Sequence, residues 1–168
     1  MTASLVVRKF RATEWSTYRD LRLRALAESP DAFGRTFAEE KDRPDEEWSS
    51  RLAEWLGTPN CYSILAIADE KPAGLLFARF ESAEQDSVRL YSMWVDPTAR
   101  RHGTGRRLVE SVQDWSREHG AKRILLHVTL NNAAAIGLYE RCGFRLTAER
   151  IPLREGSPLF ATGMELEL

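Results

Sequence analysis

Two short stretches of the chain hold residue types that can do chemistry at their spacing. The first is Arg100-Arg101-His102-Gly103-Thr104-Gly105. It follows an apolar run ending at Val95 and opens a helical pattern, so its layout is strand, glycine loop, helix. The first N–H groups of a helix have no partner within it and point outward, where an anion can take them. Gly103 and Gly105 let a phosphate approach the backbone, and Arg100, Arg101, Arg106 and Arg107 surround it with positive charge. A nucleotide hydrolase loop ends in Gly-Lys-Ser/Thr; here Gly105 is followed by Arg106-Arg107. A dinucleotide-binding turn needs a third glycine, and Leu108 stands there. A helix start with glycine caps and a solvated arginine cluster explains the same residues, so the loop alone leaves both readings open.

The second stretch runs from Asn131 to Phe144. A helix turns about 100° per residue, so Asn132, Ala135 and Tyr139 share one face. That face presents an amide, a small residue that leaves room, and a phenol able to deliver a proton. An asparagine cap followed by a core tyrosine is the competing account. Two other groups matter less. Cys61 and Cys142 fit no metal or redox spacing, no metal is expected, and both are read as reduced thiols. Cys142 stands at a helix C-terminus, which does not activate a thiol.

These stretches need elements to hold them. Leu5–Phe10 reads as a strand and Thr13 as the cap of a helix reaching Glu28, with Trp15, Tyr18, Leu21 and Ala25 as its apolar stripe. A second helical stretch from Phe33 to Trp55 is split at Pro44. Cys61–Ala68 and Ala73–Glu81 form strands around the turn Asp69-Glu70-Lys71-Pro72, and Ser87–Val95 a third. A helix from Gly103 to His119, a strand Arg123–Thr129, a helix Asn132–Cys142 and strands Phe144–Arg150 and Leu159–Leu168 complete the order. Short turns make the early strands antiparallel. The whole helix between Val95 and Arg123 makes those two strands parallel. The expectation is one α/β domain over residues 1–168, a mixed, largely antiparallel sheet of six to seven strands with helices on both faces.

Bulk composition agrees with an ordinary globular domain. Of 168 residues, 43% are hydrophobic and 29% charged, and 24 basic against 25 acidic side chains leave a net charge of -1, which favours neither nucleic acid nor a membrane surface. No apolar run is long enough to span a membrane. The opening MTASLVVRKF lacks the apolar segment of a secretory signal, so a cytoplasmic location is expected.

Together the two stretches resemble the GNAT superfamily of acetyl-CoA-dependent N-acetyltransferases. Arg100, Gly103 and Gly105 match that family's Arg/Gln-x-x-Gly-x-Gly/Ala loop. Asn132, Ala135, Leu138, Tyr139, Gly143 and Phe144 match its Asn-x-x-Ala-x-x-Leu-Tyr-x-x-x-Gly-Phe stretch. The resemblance implies a central parallel pair splayed to admit the pantetheine arm against the backbone of Met93, Trp94 and Val95. It places the pyrophosphate on the amides of Arg101, His102, Gly103, Thr104, Gly105 and Arg106, beside Arg100. Asn132 would touch the pantetheine arm, and Tyr139 would protonate or hydrogen-bond the departing thiolate. The acceptor would be the primary amine of a small molecule. A protein N-terminus or lysine, or a non-catalytic acyl-CoA-binding module, are the alternatives, and a homodimer is compatible with the family. An alkyl amine is protonated at neutral pH, so a base is needed. Ser92, His127, Glu39, Glu40 and a water chain are the candidates. For His127 and for Glu39 and Glu40 the plainer readings, an ordinary strand residue and a solvated helical face, are preferred.

Overall fold

A computed structural model describes residues 4–81 and 86–168. Met1-Thr2-Ala3, the start of the segment read above for a signal, lie outside the described residues. The strands are β1 (Leu5–Lys9), β2 (Cys61–Ala68), β3 (Lys71–Phe80), β4 (Ser87–Val95), β5 (Arg123–Thr129), β6 (Arg145–Pro152) and β7 (Phe160–Glu167). The helices are α1 (Trp15–Glu28), α2 (Phe37–Glu40), α3 (Asp45–Gly57), α4 (Thr104–Glu118) and α5 (Ala133–Arg141). One seven-stranded sheet runs β1-β2-β3-β4-β5-β7-β6, antiparallel throughout except for the β4–β5 pair.

Side-chain alternation along the strands divides the core in two. Leu76 and Ala78 of β3 join Leu108, Val109, Val112 and Trp115 of α4. Leu75 and Phe77 join Tyr18 and Leu21 of α1 and Trp48 and Leu52 of α3 on the other face. Full burial of such a leucine or phenylalanine stabilises the fold by roughly 1.5–3 kcal/mol.

Several local expectations are corrected. Thr13 does not cap α1. A 3-10 turn, Ala12–Glu14, precedes it, and the Glu14 carboxylate accepts the Arg11 N–H at 2.7 Å. The second helical stretch is two helices, and Phe33 lies in extended chain before them, because Pro30 and Gly34 break the ladder there. Pro44 caps α3. The β2–β3 hairpin turns on Asp69 and Glu70, both at positive φ, as the right-handed twist of a hairpin demands.

Candidate active site

β4 and β5 pair only from Ser87/Arg123 to Arg89/Leu125. Beyond that, β5 stays paired to β7 as far as Thr129/Ala161, and β4 to β3 as far as Val95/Gly74. The two central strands therefore part, and the facing edge of β4 is left unpaired from Leu90 onward. Within that edge the β3–β4 register slips between Phe77/Tyr91 and Leu75/Trp94. Ser92 and Met93 thus stand opposite Leu76 alone, which is a bulge. Ser92 has φ +56°, a costly conformation for a residue with a Cβ, and such strain gathers where backbone groups are aimed. Met93 is turned towards the α4 and α5 side, and Ser92 towards α1, where Arg22 Nη1 lies 3.4 Å from its Oγ.

The glycine loop opens at the mouth of this gap. Gly103, at φ +82°, is the N-cap of α4, and its carbonyl accepts the Arg107 N–H at 2.9 Å. Among the described residues, the N–H groups of Arg101, His102, Gly103, Thr104, Gly105 and Arg106 have no backbone or side-chain acceptor. Arg101 adds a second left-handed residue, φ +64°. This is an anion cradle of main-chain donors. Its glycines have different causes. Gly103 meets the backbone angle, whereas a Cβ on Gly105 would lie 2.9 Å from Leu138 Cδ2 and 3.4 Å from Met93 Cε. Gly105 therefore lets α4 close on α5 and β4.

The arginines divide as well. Arg106 pairs with Glu110. Arg100 turns away from the cradle: its Nη1 and Nη2 donate to Glu28 at 3.1 and 2.8 Å, and its Nε to the Val95 carbonyl at 2.9 Å. The Asp96 N–H donates to Ala73 on β3, so the Val95 carbonyl, opposite it in a trans peptide, faces the gap. Arg100 thus ties the loop to β4 and to the end of α1. Trp94, on the α1 face, donates its indole N–H to the same Glu28 at 2.9 Å. Behind the loop, a cavity of about 680 Å³ is bounded by α1, the β2–β3 turn and His102. Its Asp96 is already taken by Thr98 and Arg24.

The hydrogen bonds from Arg100, with smaller contributions from Ser29 and Trp94, lower the Glu28 carboxyl from 4.5 to about 2. A carboxyl lowered on folding stabilises the native state above its unfolded value and loses that contribution as pH falls through the folded one. In urea titrations, Glu28→Gln is expected to be less stable than the parent at neutral pH. The difference should vanish between about pH 4.5 and 2. With the side chain 35% exposed, screening keeps the effect to about 1 kcal/mol or less.

α5 supplies the other face of the gap. Asn132 is its N-cap, with Oδ1 accepting the Ala135 N–H at 3.2 Å. Its amide N–H groups have no protein acceptor among the described residues. Tyr139 is 6% exposed within the cluster that holds Val95 and Val128, and meets Phe144 edge-on at 5.7 Å. Burial pushes its phenol well above the ordinary value. Burial also raises the thiols of Cys142 and Cys61, both free, which disfavours either as a nucleophile.

The base candidates separate clearly. Glu39 is exposed and forms a capping box with Thr36, its carboxylate accepting the Thr36 N–H at 2.7 Å. Glu40 is not on a solvated face: it is 1% exposed and pairs with Arg22 at 3.2 Å and Arg51 at 3.9 Å. His127 is more than an ordinary strand residue. It lies two positions beyond the last β4–β5 pair, on the same side of β5 as Thr129. Its Nδ1 is 3.2 Å from Arg89 Nη1, and its Nε2 is 2.9 Å from Glu149 Oε2. A guanidinium only donates, so Nδ1 is the acceptor and Nε2 carries the proton that goes to Glu149. Glu149 stands on β6, one strand beyond β7, and reaches His127 across Gly163, the register partner of His127. A Cβ on Gly163 would lie 2.8 Å from Glu149 Oε2 and 2.5 Å from Thr147 Oγ1. Glu149, Arg89 and Gly163 are absent from the sequence reading, and no local spacing marks them.

Residues 18–144 match the model of the acetyltransferase (GNAT) family. The chain belongs to that family. A mycothiol acetyltransferase from Clavibacter michiganensis is 27% identical over 154 residues, 92% of this chain and 47% of its own length. The ribosomal protein bS18-alanine N-acetyltransferase of Escherichia coli is 42% identical over 59 residues, 35% of this chain and 40% of its own. This GNAT chain spans about half the length of the curated relatives it matches. A putative acetyltransferase from Salmonella typhimurium, solved with its cofactor acetyl-CoA, shares the fold. Its TM-score is 0.81 at 18% identity, covering 98% of this chain and 94% of that one. Among the described residues of this GNAT domain, no helix is long and apolar enough to cross a membrane and no His/Cys/Asp/Glu cluster could hold a metal.

Proposed function

We propose that this GNAT domain transfers the acetyl group of acetyl-CoA to the primary amine of a small acceptor by direct attack. The observation that carries the reading is the parted β4–β5 pair opening onto six N–H groups that have no acceptor among the described residues. The pyrophosphate would rest on the amides of residues 101–106. The pantetheine arm would take the gap-facing edge of β4 at Met93, Trp94 and Val95, where the Val95 carbonyl is held by Arg100, with Asn132 supplying its amide. A backbone N–H near the Ser92–Met93 bulge would polarise the thioester carbonyl.

In the reaction, the amine nitrogen forms the new C–N bond and the C–S bond breaks. The proton released from nitrogen goes to His127 Nδ1. Glu149 fixes the imidazole tautomer and supports the positive charge that develops. Arg89, held by Glu81, occupies Nδ1 until the amine replaces it. Tyr139 donates a hydrogen bond to the departing thiolate.

A small acceptor is favoured over a peptide because the acceptor side is strapped shut at one end. Arg154 Nη1 donates to the Phe33 carbonyl at 2.7 Å, Arg154 also reaches the Pro30 carbonyl, and Thr129 Oγ1 donates to the Asp31 carbonyl at 2.6 Å. These bonds fix the segment between α1 and α2 over the end of β5. Acetyl-CoA incubated with a panel of small amines and of short peptides, and followed by free thiol release and mass spectrometry, is expected to give amide products with small amines. Turnover restricted to the peptides would favour a peptide N-terminal activity. Acetyl-CoA binding without turnover on either would leave a binding module.

A further inference from the structure

Arginine is seldom buried without a partner for each of its donors, and Arg22 is 9% exposed on the inner face of α1. Its Nε donates to Glu40 at 3.2 Å, its Nη1 reaches Ser92 Oγ at 3.4 Å, and its guanidinium lies over the Phe33 ring at 5.0 Å. Among the described residues, Nη2 has no protein acceptor. The surroundings do not neutralise the group. Glu40 is shared with Arg51, and Arg43, which pairs with Glu47, keeps a buried Nε without a partner. Around the Tyr18 phenol stand the guanidiniums of Arg22, Arg43 and Arg51 and the carboxylate of Glu40.

An ion pair that only tied α1 to α2 would explain the Glu40 contact. It would not explain why the far side of the guanidinium meets Ser92, the left-handed residue of the bulge where the thioester carbonyl is proposed to lie. Nη2 keeps access to solvent and so stands open to a ligand oxygen, and a carboxylate offers the planar pair of oxygens that matches the guanidinium fork.

We infer that Arg22 anchors a carboxylate of the acceptor, so that the substrates are small amino acids with a free carboxylate a few bonds from the amine. The inference rests on the acetyl-transfer reading above. Because the guanidinium reaches Ser92 Oγ at 3.4 Å, a molecule held on Arg22 and presenting its nitrogen at the Ser92–Met93 bulge would be short. A peptide N-terminus does not qualify, because its nearest carboxyl group is an amide.

The test compares kcat/KM for free α- and β-amino acids with that for their carboxamides. The carboxamide's amine is the less basic, so without an anchor it would react at least as well. The parent protein is expected to prefer the free acids by about tenfold or more. Arg22→Lys, which keeps the charge but loses the fork, is expected to cut that preference to about threefold or less, chiefly through a higher KM for the acids. Because the single change could disturb Glu40, Arg22→Met combined with Glu40→Gln is the second variant. It should lose the preference while still binding acetyl-CoA by calorimetry. Carboxamides transferred as fast as the acids by the parent, or an equal loss on both in Arg22→Lys, would overturn the carboxylate anchor and leave acetyl transfer standing. No product from any amine would remove both.

Discussion

Replacing His127 with glutamine is expected to lower kcat/KM for the acceptor amine by about a hundred- to ten-thousand-fold, the range for a positioned general base. The argument is geometric. His127 lies just past the last β4–β5 pair on the same side of β5 as Thr129; its Nε2 is bound to Glu149 at 2.9 Å, and its Nδ1, which faces Arg89, is the nitrogen proposed to accept the proton. Two further changes test the dyad without touching the imidazole. Glu149→Gln removes the carboxylate and should cost roughly tenfold or more, because the imidazolium formed in the transition state loses its counter-charge. Gly163→Ala should cost about as much, since its Cβ would displace Glu149. Calorimetry with acetyl-CoA separates these effects from a folding defect. Turnover unchanged in His127→Gln would return the base to a water chain.

Tyr139→Phe carries the second large expectation: kcat lower by about a hundredfold, with the dissociation constant for acetyl-CoA nearly unmoved. An interaction made only as charge develops lowers kcat without weakening ground-state binding, and losing one such donor costs about a hundred- to a thousandfold. Burial in an apolar cluster raises the phenol, so it stays protonated across the working pH range. The same shift makes it a weaker acid than the thiol it serves. Tyr139 is therefore expected to stabilise the thiolate by hydrogen bonding, with solvent supplying the final proton. Any falling limb of the pH profile below about pH 10 should accordingly persist in Tyr139→Phe. If that limb disappears in the variant, full proton transfer by the phenol is the better account.

How much of this was legible in the sequence follows from the range of each signal. The glycine loop was readable because a strand end, two glycines and a helix start are consecutive. The helix after Asn131 was readable because its pattern repeats within seven residues, and the asparagine cap and core tyrosine named as the competing account are both present. Pro44 and the Asp69-Glu70 turn punctuated the chain where expected. Thr13 misled because a side chain three residues from Arg11 won the helix start through its carboxylate. Glu40 misled because an acidic residue in a charged helical stretch looks solvated until Arg22 and Arg51 are packed around it.

The strand–glycine loop–helix layout of residues 100–105 and the helix after Asn131 are thus local features, determined by the sequence itself through backbone geometry and short hydrogen-bonded motifs. The proposed chemistry between them was decided by the tertiary fold. Sheet order puts β7 between β5 and β6, so that His127 meets Glu149 over a glycine 36 positions further along the chain than the histidine. A slip in β3–β4 register turns Ser92 towards Arg22, 70 residues away. Arg100, which reads in sequence as a phosphate ligand, spends its guanidinium on Glu28, 72 residues away. Spacing along the chain carries no record of such contacts, because strand order and register follow from how the two hydrophobic faces close on the sheet.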